Sequence, residues 1–248
     1  DGTTRLKKDG KIIHHHSGVA GFAEYAVLPK EALVKIDNHI PFEHAALFGC
    51  GVVTGVGAVI NTANAREEDS VAIVGLGGVG LSALLASLAI GSKKTIAIDL
   101  SDEKLALARE LGADHTLNPK DENFLEKIRD LTSGGANIAI ETAGSGHALK
   151  TAYDITRRGG TTVAAGMPGP KVDITLSHLS IAAEERVIKG SYMGSCIAKR
   201  DIPKYLDMFQ TGKLPVDRLL SRKIKFEDLN EAMDRLDDAK TVREVLIP

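Results

Sequence analysis

The stretch Ser70-Val-Ala-Ile-Val-Gly-Leu-Gly-Gly-Val-Gly80 decides the fold. An apolar run of strand type enters a glycine turn, and an uncharged helix-forming run, residues 81–90, leaves it. Gly75, Gly77 and Gly80 stand in G-x-G-x-x-G spacing. A dinucleotide's pyrophosphate needs that shape. The first glycine makes the tight turn and the second admits the phosphates close to backbone. The third lets the helix lie against the strand, with its N-terminal N–H groups facing the anion. The pattern alone is weakly specific. It gains force from a second apolar run, Lys94-Thr-Ile-Ala-Ile98, which ends on Asp99, nineteen residues past Gly80. An acid at that distance is placed to take ribose hydroxyls.

Outward from this turn the chain alternates. Strand-like runs fall at residues 71–74, 94–99, 115–117, 138–141 and 161–165, and helix-like runs start near Val79 and cover 102–111, 124–131 and 146–155. Such alternation implies an α/β fold, a doubly wound parallel sheet with helical crossovers. Continuously apolar strands agree, because both faces of such a sheet are covered. Ligands of these sheets sit outside the carboxyl ends of the strands. That rim carries Gly75 to Gly80, Asp99, Glu141-Thr142-Ala143 and Ala165-Gly166-Met167. The flanks read differently, with β-like pieces at 22–27 and 33–36, a helix over 202–209, a strand at 223–226, a helix over 227–236 and a last strand at 242–247. They belong to a second, β-rich unit that the sheet interrupts.

The 248 residues suffice for one large or two smaller domains, and 43% hydrophobic with 26% charged residues is an ordinary globular composition. A net charge of −2 without a Lys/Arg block gives no nucleic-acid surface. Cys50 and Cys196 lie 146 positions apart, so they supply neither a disulfide framework nor a self-contained zinc site, and a reducing, cytoplasmic setting fits. The uncharged stretches 45–65 and 71–91 imitate membrane spans in length, yet several glycines break each. They read as buried core, with no membrane partner. The chain opens on Asp1 in mid-turn, as a fragment would. In His14-His15-His16, adjacent strand residues point to opposite faces, so the three cannot converge on one ion. His44, His115, His147 and His178 are scattered and carry no assigned chemistry.

The run Gly49-Cys-Gly-Val-Val-Thr-Gly-Val-Gly-Ala58 resembles zinc-dependent medium-chain alcohol dehydrogenases. So do Gly21-Phe-Ala-Glu-Tyr25, Gly75-Leu-Gly-Gly-Val-Gly80, Gly112-Ala-Asp114 and Val242-Arg-Glu-Val-Leu246, in order and at family-like spacing. The resemblance implies a Rossmann domain over residues 54–192, with 1–53 and 193–248 belonging to a GroES-like catalytic domain. It implies NAD and zinc as cofactors, with hydride transfer between an alcohol and an aldehyde or ketone. In that family two cysteines and one histidine hold zinc, which acts as a Lewis acid toward the alcohol. Cys50 falls on the second cysteine ligand, whereas Cys196 matches no ligand and reads as structural. The first cysteine, the histidine and the structural-zinc lobe have no counterpart here. One thiolate cannot make a three-ligand site, so this chain alone is expected to hold no catalytic zinc and to be inactive.

The same resemblance gives the cofactor contacts. Asp99 takes the position of the family's ribose-binding acid, which favours NAD over NADP; the competing reading is a cap for the helix that follows. Lys104 lies by the same ribose, Leu100 is a further cofactor contact, and Leu76, Gly78 and Val79 complete the phosphate turn. Arg243 reaches the pyrophosphate. Thr54, Val79, Ala143, Ala165 and Met167 line the nicotinamide half, and Thr142 and Gly166 are further cofactor contacts on the same rim. His16 and Ser17 fall near the family's substrate channel, a hint of a somewhat polar alcohol. Pairing through residues 187–193 would give a homodimer or a tetramer. Three alternatives stay open: a glutathione-dependent formaldehyde dehydrogenase type, an S-adenosylmethionine methyltransferase, and a non-catalytic nucleotide-sensing module.

Overall fold

A computed structural model describes residues 4–14, 19–237 and 241–248. His15, His16 and Ser17 therefore lie outside the described residues. The first elements are β1 (Leu6–Lys8) and β2 (Lys11–Ile13), an antiparallel hairpin. Its turn is Asp9-Gly10, with φ of 50° and 76°. Positive φ at both central residues matches the right-handed twist of a two-residue hairpin, and Asp-Gly supplies it cheaply. The β-like pieces at 22–27 and 33–36 are not strands. Phe22, Tyr25 and Val27 are 60%, 92% and 76% exposed, and no described strand pairs with them. β-propensity reports fitness for a half-buried sheet surface, so without a partner and cover it does not decide conformation.

The chain then enters α1 (Phe42–Ala45) and α2 (Gly51–Gly57), which continues through a π-turn over Ala58–Ala63. The sheet unit follows as β3 (Ser70–Val74), α3 (Gly78–Ala89), β4 (Lys94–Ile98), α4 (Asp102–Leu111), β5 (His115–Leu117), α5 (Phe124–Thr132), β6 (Ala136–Glu141), α6 (Gly146–Ile155), β7 (Thr156–Ala164), α7 (His178–Ala183) and β8 (Val187–Gly190). After it come α8 (Ala198–Gln210), β9 (Leu220–Ile224), α9 (Leu229–Asp234) and β10 (Arg243–Leu246). The strand order is β5-β4-β3-β6-β7-β8, all parallel. The chain winds outward from β3 on one side, returns, and winds outward from β6 on the other. The crevice between β3 and β6 is thus the switch point where ligands of such sheets bind.

Period-two alternation sorts the strand residues between two cores. Val71 and Ile73 of β3 join Leu81, Leu84 and Leu85 of α3, while Ala72 and Val74 join Phe124 and Ile128 of α5 and Ala152 of α6. Each large aliphatic side chain buried this way contributes about 1.5–3 kcal/mol before the entropy of ordering is subtracted. Serine caps set three helix starts: Ser101 accepts the Lys104 N–H at 3.4 Å, Ser145 the Ala148 N–H at 3.1 Å and Ser177 the Ser180 N–H at 3.3 Å. β7 begins at Thr156, earlier than the sequence pattern indicates, and its register shifts against β6 between Ala136 and Ile138. β9 and β10 form a separate parallel pair, and Tyr205, Leu206, Leu219 and Val245 pack into the same core as α3.

Among the described residues no single helix is long and apolar enough to cross a membrane. One pair bent by 58°, Phe42–Gly49 with Gly51–Ala63, passes by length and composition. Val52, Val53, Val56, Ala58 and Val59 of that pair are buried in the protein core.

Candidate dinucleotide site

β3 delivers its chain to the sheet rim at Gly75, whose φ of 94° turns it toward α3. The Gly75 N–H donates to the Ile98 carbonyl at 2.8 Å, and the Thr142 Oγ1 donates to the Gly75 carbonyl at 2.6 Å. A Cβ at Gly80 would collide with that same carbonyl, so α3 can lie so close to β3 only with glycine there. Around Gly77 the situation is reversed. A Cβ built on it meets nothing within 4 Å, so the backbone faces open space. Gly77 is also the N-cap residue of α3, and no side chain caps it. The start of a 12-residue helix, with its leading N–H groups uncapped by a side chain, therefore has open space at Gly77.

Arg243 of β10 closes one wall of that space. Its guanidinium lies against Gly78 at the start of α3 and Gly51 at the start of α2, where any methyl group would collide with it. No carboxylate pairs with the Arg243 side chain among the described residues. Burial pulls its pKa below the usual guanidinium range, with a small opposing effect from Cys50. A cation against the positive ends of two helices is poorly placed unless an anion sits between them. A pyrophosphate fits this cradle in charge, in donor geometry and in the space left at Gly77.

On the β4 side, the Asp99 carboxylate accepts the Leu76 N–H at 2.7 Å through Oδ2 and the Ser101 N–H at 2.9 Å through Oδ1. Ser101, not Asp99, caps α4. Each carboxylate oxygen retains acceptor capacity beyond these single bonds. Asp99 lines a cleft of about 250 Å³ together with Gly75, Leu100, Lys104, Ala143 and His147. The further lining residues Pro119, Ser145, Ala148 and Thr151 were not among the sequence candidates. The helical spacing of His147, Ala148 and Thr151 in α6, and the strand-ending Asn118-Pro119, are the signals that could have found them.

On the β6 side the loops after β6 and β7 meet. A Cβ at Gly75 would lie 2.8 Å from the Ala143 nitrogen, and Ala165 and Gly166 both donate to the Glu141 carbonyl, at 2.8 and 3.0 Å. Ala165 is buried and Met167 is 76% exposed. A Cβ at Gly55 of α2 would collide with the Val79 carbonyl. Thr54 is buried, donates its hydroxyl to the Cys50 carbonyl at 2.8 Å and lies 3.8 Å from the Met193 sulfur. Thr54 is thus engaged with its own helix and with Met193.

Cys50 is an exposed free thiol at the N-terminus of α2. Among the described residues no group of three His, Cys, Asp or Glu side chains could hold a metal ion. The described residues therefore do not fit a three-ligand zinc site. Cys196 is half-buried, and burial, with Asp201 adding to it, pushes its thiol up to about 11.

Comparison with known proteins agrees with this geometry. A family model described as zinc-binding dehydrogenase matches residues 78–211. The chain is 32% identical to S-(hydroxymethyl)glutathione dehydrogenase of Paracoccus denitrificans over 256 residues, covering 100% of this chain and 68% of that protein. It superposes on benzyl alcohol dehydrogenase of Acinetobacter calcoaceticus with a TM-score of 0.89 at 32% identity, covering 92% of this chain and 63% of that one. A Sinorhizobium meliloti protein described as a zinc-binding dehydrogenase, solved with NADP bound, superposes with a TM-score of 0.82 at 25% identity, covering 92% and 66%. The chain spans about two thirds of the length of these relatives.

Proposed function

Because this chain belongs to the zinc-binding dehydrogenase family, we propose that it is the coenzyme-holding part of an oxidoreductase interconverting an alcohol with an aldehyde or ketone, with NAD as cofactor. The carrying observation is the cradle between Gly77, the uncapped start of α3, and the Arg243 guanidinium, which no carboxylate pairs among the described residues. The methyltransferase alternative accounts for neither Gly80 nor Arg243, and family membership removes it.

When bound, NAD supplies the acceptor for a hydride. The chain's residues hold and orient it. Asp99 accepts the adenosine ribose hydroxyls, and its negative charge disfavours a 2′-phosphate. Leu100 and Lys104 flank that ribose in the same cleft. The N–H groups of Gly78, Val79 and Gly80, reinforced by Arg243, hold the pyrophosphate. Thr142, Ala143, Ala165, Gly166 and Met167, with Thr54 and Val79, wall the nicotinamide half. Residues 54–192 form the dinucleotide-binding domain in this reading, and 1–53 with 193–248 belong to the catalytic domain. Cys50 is one thiolate ligand of a zinc whose other ligands are not found among the described residues.

A small alcohol or aldehyde is the substrate class. The Paracoccus relative favours a second reading within it, the glutathione-dependent formaldehyde type. The edge strand β8, with Val187 and Ile188 41% and 40% exposed, supports pairing of two sheets into a homodimer or a tetramer. Sedimentation of the purified chain checks that assembly, and a monomer at micromolar concentration refutes it. The two free thiols fit a reducing, cytoplasmic setting.

Fluorescence titration of the purified 248-residue chain with NADH tests the central claim. Saturable binding is expected, without alcohol-dependent reduction of NAD⁺. No binding would overturn the cofactor assignment, and turnover by a chain of confirmed mass would overturn the account of Cys50. Binding without turnover in a longer chain that restores the other ligands would favour the nucleotide-sensing alternative.

A further inference from the structure

α2 does not end as an ordinary helix. It widens into the π-turn Ala58–Ala63, and two polar residues of that turn, Asn61 and Thr62, both reach the segment that leaves β8. Single π-turns in helices are uncommon and recur at functional sites. Thr62 is buried, and its hydroxyl lies 2.8 Å from the Ser191 Oγ and 2.9 Å from the Ser195 Oγ. The Asn61 Nδ2 donates to the Gly194 carbonyl at 3.2 Å, to the Tyr205 hydroxyl at 3.0 Å and to the Asp201 Oδ2 at 3.3 Å. A carbonyl and a carboxylate can only accept, so the amide must turn its nitrogen toward them. The Lys189 ammonium of β8 adds a bond to the Thr62 carbonyl at 3.1 Å.

The segment held in this way is a left-handed turn. Met193, Gly194 and Ser195 have φ of 47°, 65° and 49°. Met and Ser seldom take that conformation, because their Cβ crowds the following carbonyl. Such backbone persists only where its surroundings over-determine it. Contact with α2 completes the grip: a Cβ at Gly194 would collide with the Val53 carbonyl, and one at Gly57 with the Gly194 carbonyl. The Met193 sulfur is thereby set 3.8 Å from the Thr54 hydroxyl of α2.

This turn lies on the half of the sheet away from Asp99. β8 pairs with β7, and the Ser191 N–H donates to the Ala164 carbonyl at 2.8 Å, next to Ala165. In a doubly wound sheet that half receives the second mononucleotide of a dinucleotide. Taking NAD as the ligand, with Thr54 and Ala165 in the nicotinamide wall, a reading on which this inference rests, we propose that Asn61 and Thr62 are positioning residues for the nicotinamide half: from the π-turn they hold the 193–195 turn against α2 and so set Met193 beside Thr54. They act through that turn and leave the adenosine half alone.

The test compares NADH with ADP-ribose, which keeps the adenosine and pyrophosphate but lacks the nicotinamide. Asn61→Leu keeps the size of the side chain and removes its donors, and Thr62→Val keeps the shape and removes the hydroxyl. In each variant NADH affinity is expected to fall about fivefold or more, the scale of leaving buried partners unmatched, with ADP-ribose affinity within about twofold of the unaltered chain. Ile128→Val, a change in the buried core under α5, is the control for general destabilisation and should leave both affinities within about twofold. Equal weakening of both ligands in either variant, or unchanged NADH affinity in either, would overturn the proposal. If the unaltered chain binds neither ligand, the nucleotide reading itself fails and this inference falls with it. If it binds ADP-ribose as tightly as NADH, the nucleotide reading stands and this inference alone falls. Should a variant not fold, hydrogen exchange on the unaltered chain decides. The Ser195 and Cys196 amides, which bond the Tyr192 and Met193 carbonyls at 2.9 and 3.2 Å, should be slowed by NADH but not by ADP-ribose. Equal slowing by both ligands, or by neither, would refute the role.

Discussion

The Asp99 carboxylate holds the Leu76 N–H at 2.7 Å, so the acid ending β4 braces the glycine turn that follows β3. Its second oxygen holds the Ser101 N–H at 2.9 Å, which fixes the start of the β4–α4 loop. One side chain therefore shapes the phosphate turn and, in the proposed function, presents acceptors to the adenosine ribose. Removing it should affect both tasks.

Asp99→Gly is expected to weaken NADH binding by about tenfold to a hundredfold, the range for losing hydrogen bonds to a charged group. The preference for NADH over NADPH should narrow, because the repulsion of a 2′-phosphate is gone. Titrating the variant with both coenzymes gives the ratio directly; an unchanged preference would count against the ribose role.

Gly77 and Gly80 should respond oppositely to the same methyl group. Gly77→Ala adds a Cβ into open space, so thermal stability should change by less than about 1 kcal/mol while NADH affinity falls steeply. Gly80→Ala drives a Cβ into the Gly75 carbonyl and should cost about 1–3 kcal/mol or more in stability. Denaturant melts paired with NADH titration separate the two effects. Equal stability losses at both positions would contradict the assignment of Gly77 to phosphate approach.

Arg243→Met should weaken NADH about tenfold or more without lowering the melting temperature of the ligand-free chain. The guanidinium is buried against two helix N-termini with no carboxylate partner among the described residues, so its removal relieves an unfavourable placement. In the unaltered chain, NADH affinity should decline with added salt, and the variant should show a shallower decline. A large loss of stability in the ligand-free variant would mean that Arg243 serves packing instead.

Acid stability should depend on Asp201. Arg200 hydrogen-bonds its carboxylate at 2.6 and 2.9 Å, and the Ile197 N–H adds a third bond at 2.7 Å. Arg200, opposed by burial and aided by Ile197, holds its pKa below the ordinary aspartate value. The folded pKa lies below the unfolded one, so this carboxylate stabilises the fold above the unfolded value. That contribution is lost as pH falls through the folded pKa. Asp201→Asn should lower stability at pH 7 by about 1–3 kcal/mol and flatten the acid limb of the melting profile. An unaltered acid limb would refute the assignment.

The sheet unit was legible because its signals are local. The apolar strands, the glycine spacing, Asp99 and the serine-capped helices each follow from residues close in sequence, and the strand order confirms their alternation. The flanks were not legible in the same way. The pieces at 22–27 and 33–36 have strand composition, yet composition cannot supply the partner that a strand requires. The Asp9-Gly10 hairpin was there to be read, since both turn residues favour positive φ. His147, assigned no chemistry from its position in the sequence, reaches the Asp99 cleft because α6 lines it, with Ala148 and Thr151 beside it.

The sequence by itself determined an α/β dinucleotide fold and the identity of its turn, because glycine spacing and strand periodicity act within a few residues. Only the tertiary structure decided that Arg243 meets Gly51 and Gly78, that Asp99 braces Leu76, and that the Glu141 main-chain carbonyl takes the Ala165 and Gly166 N–H groups. Each of these depends on which rims the winding of the sheet brings together, and on how closely backbones approach where no Cβ intervenes.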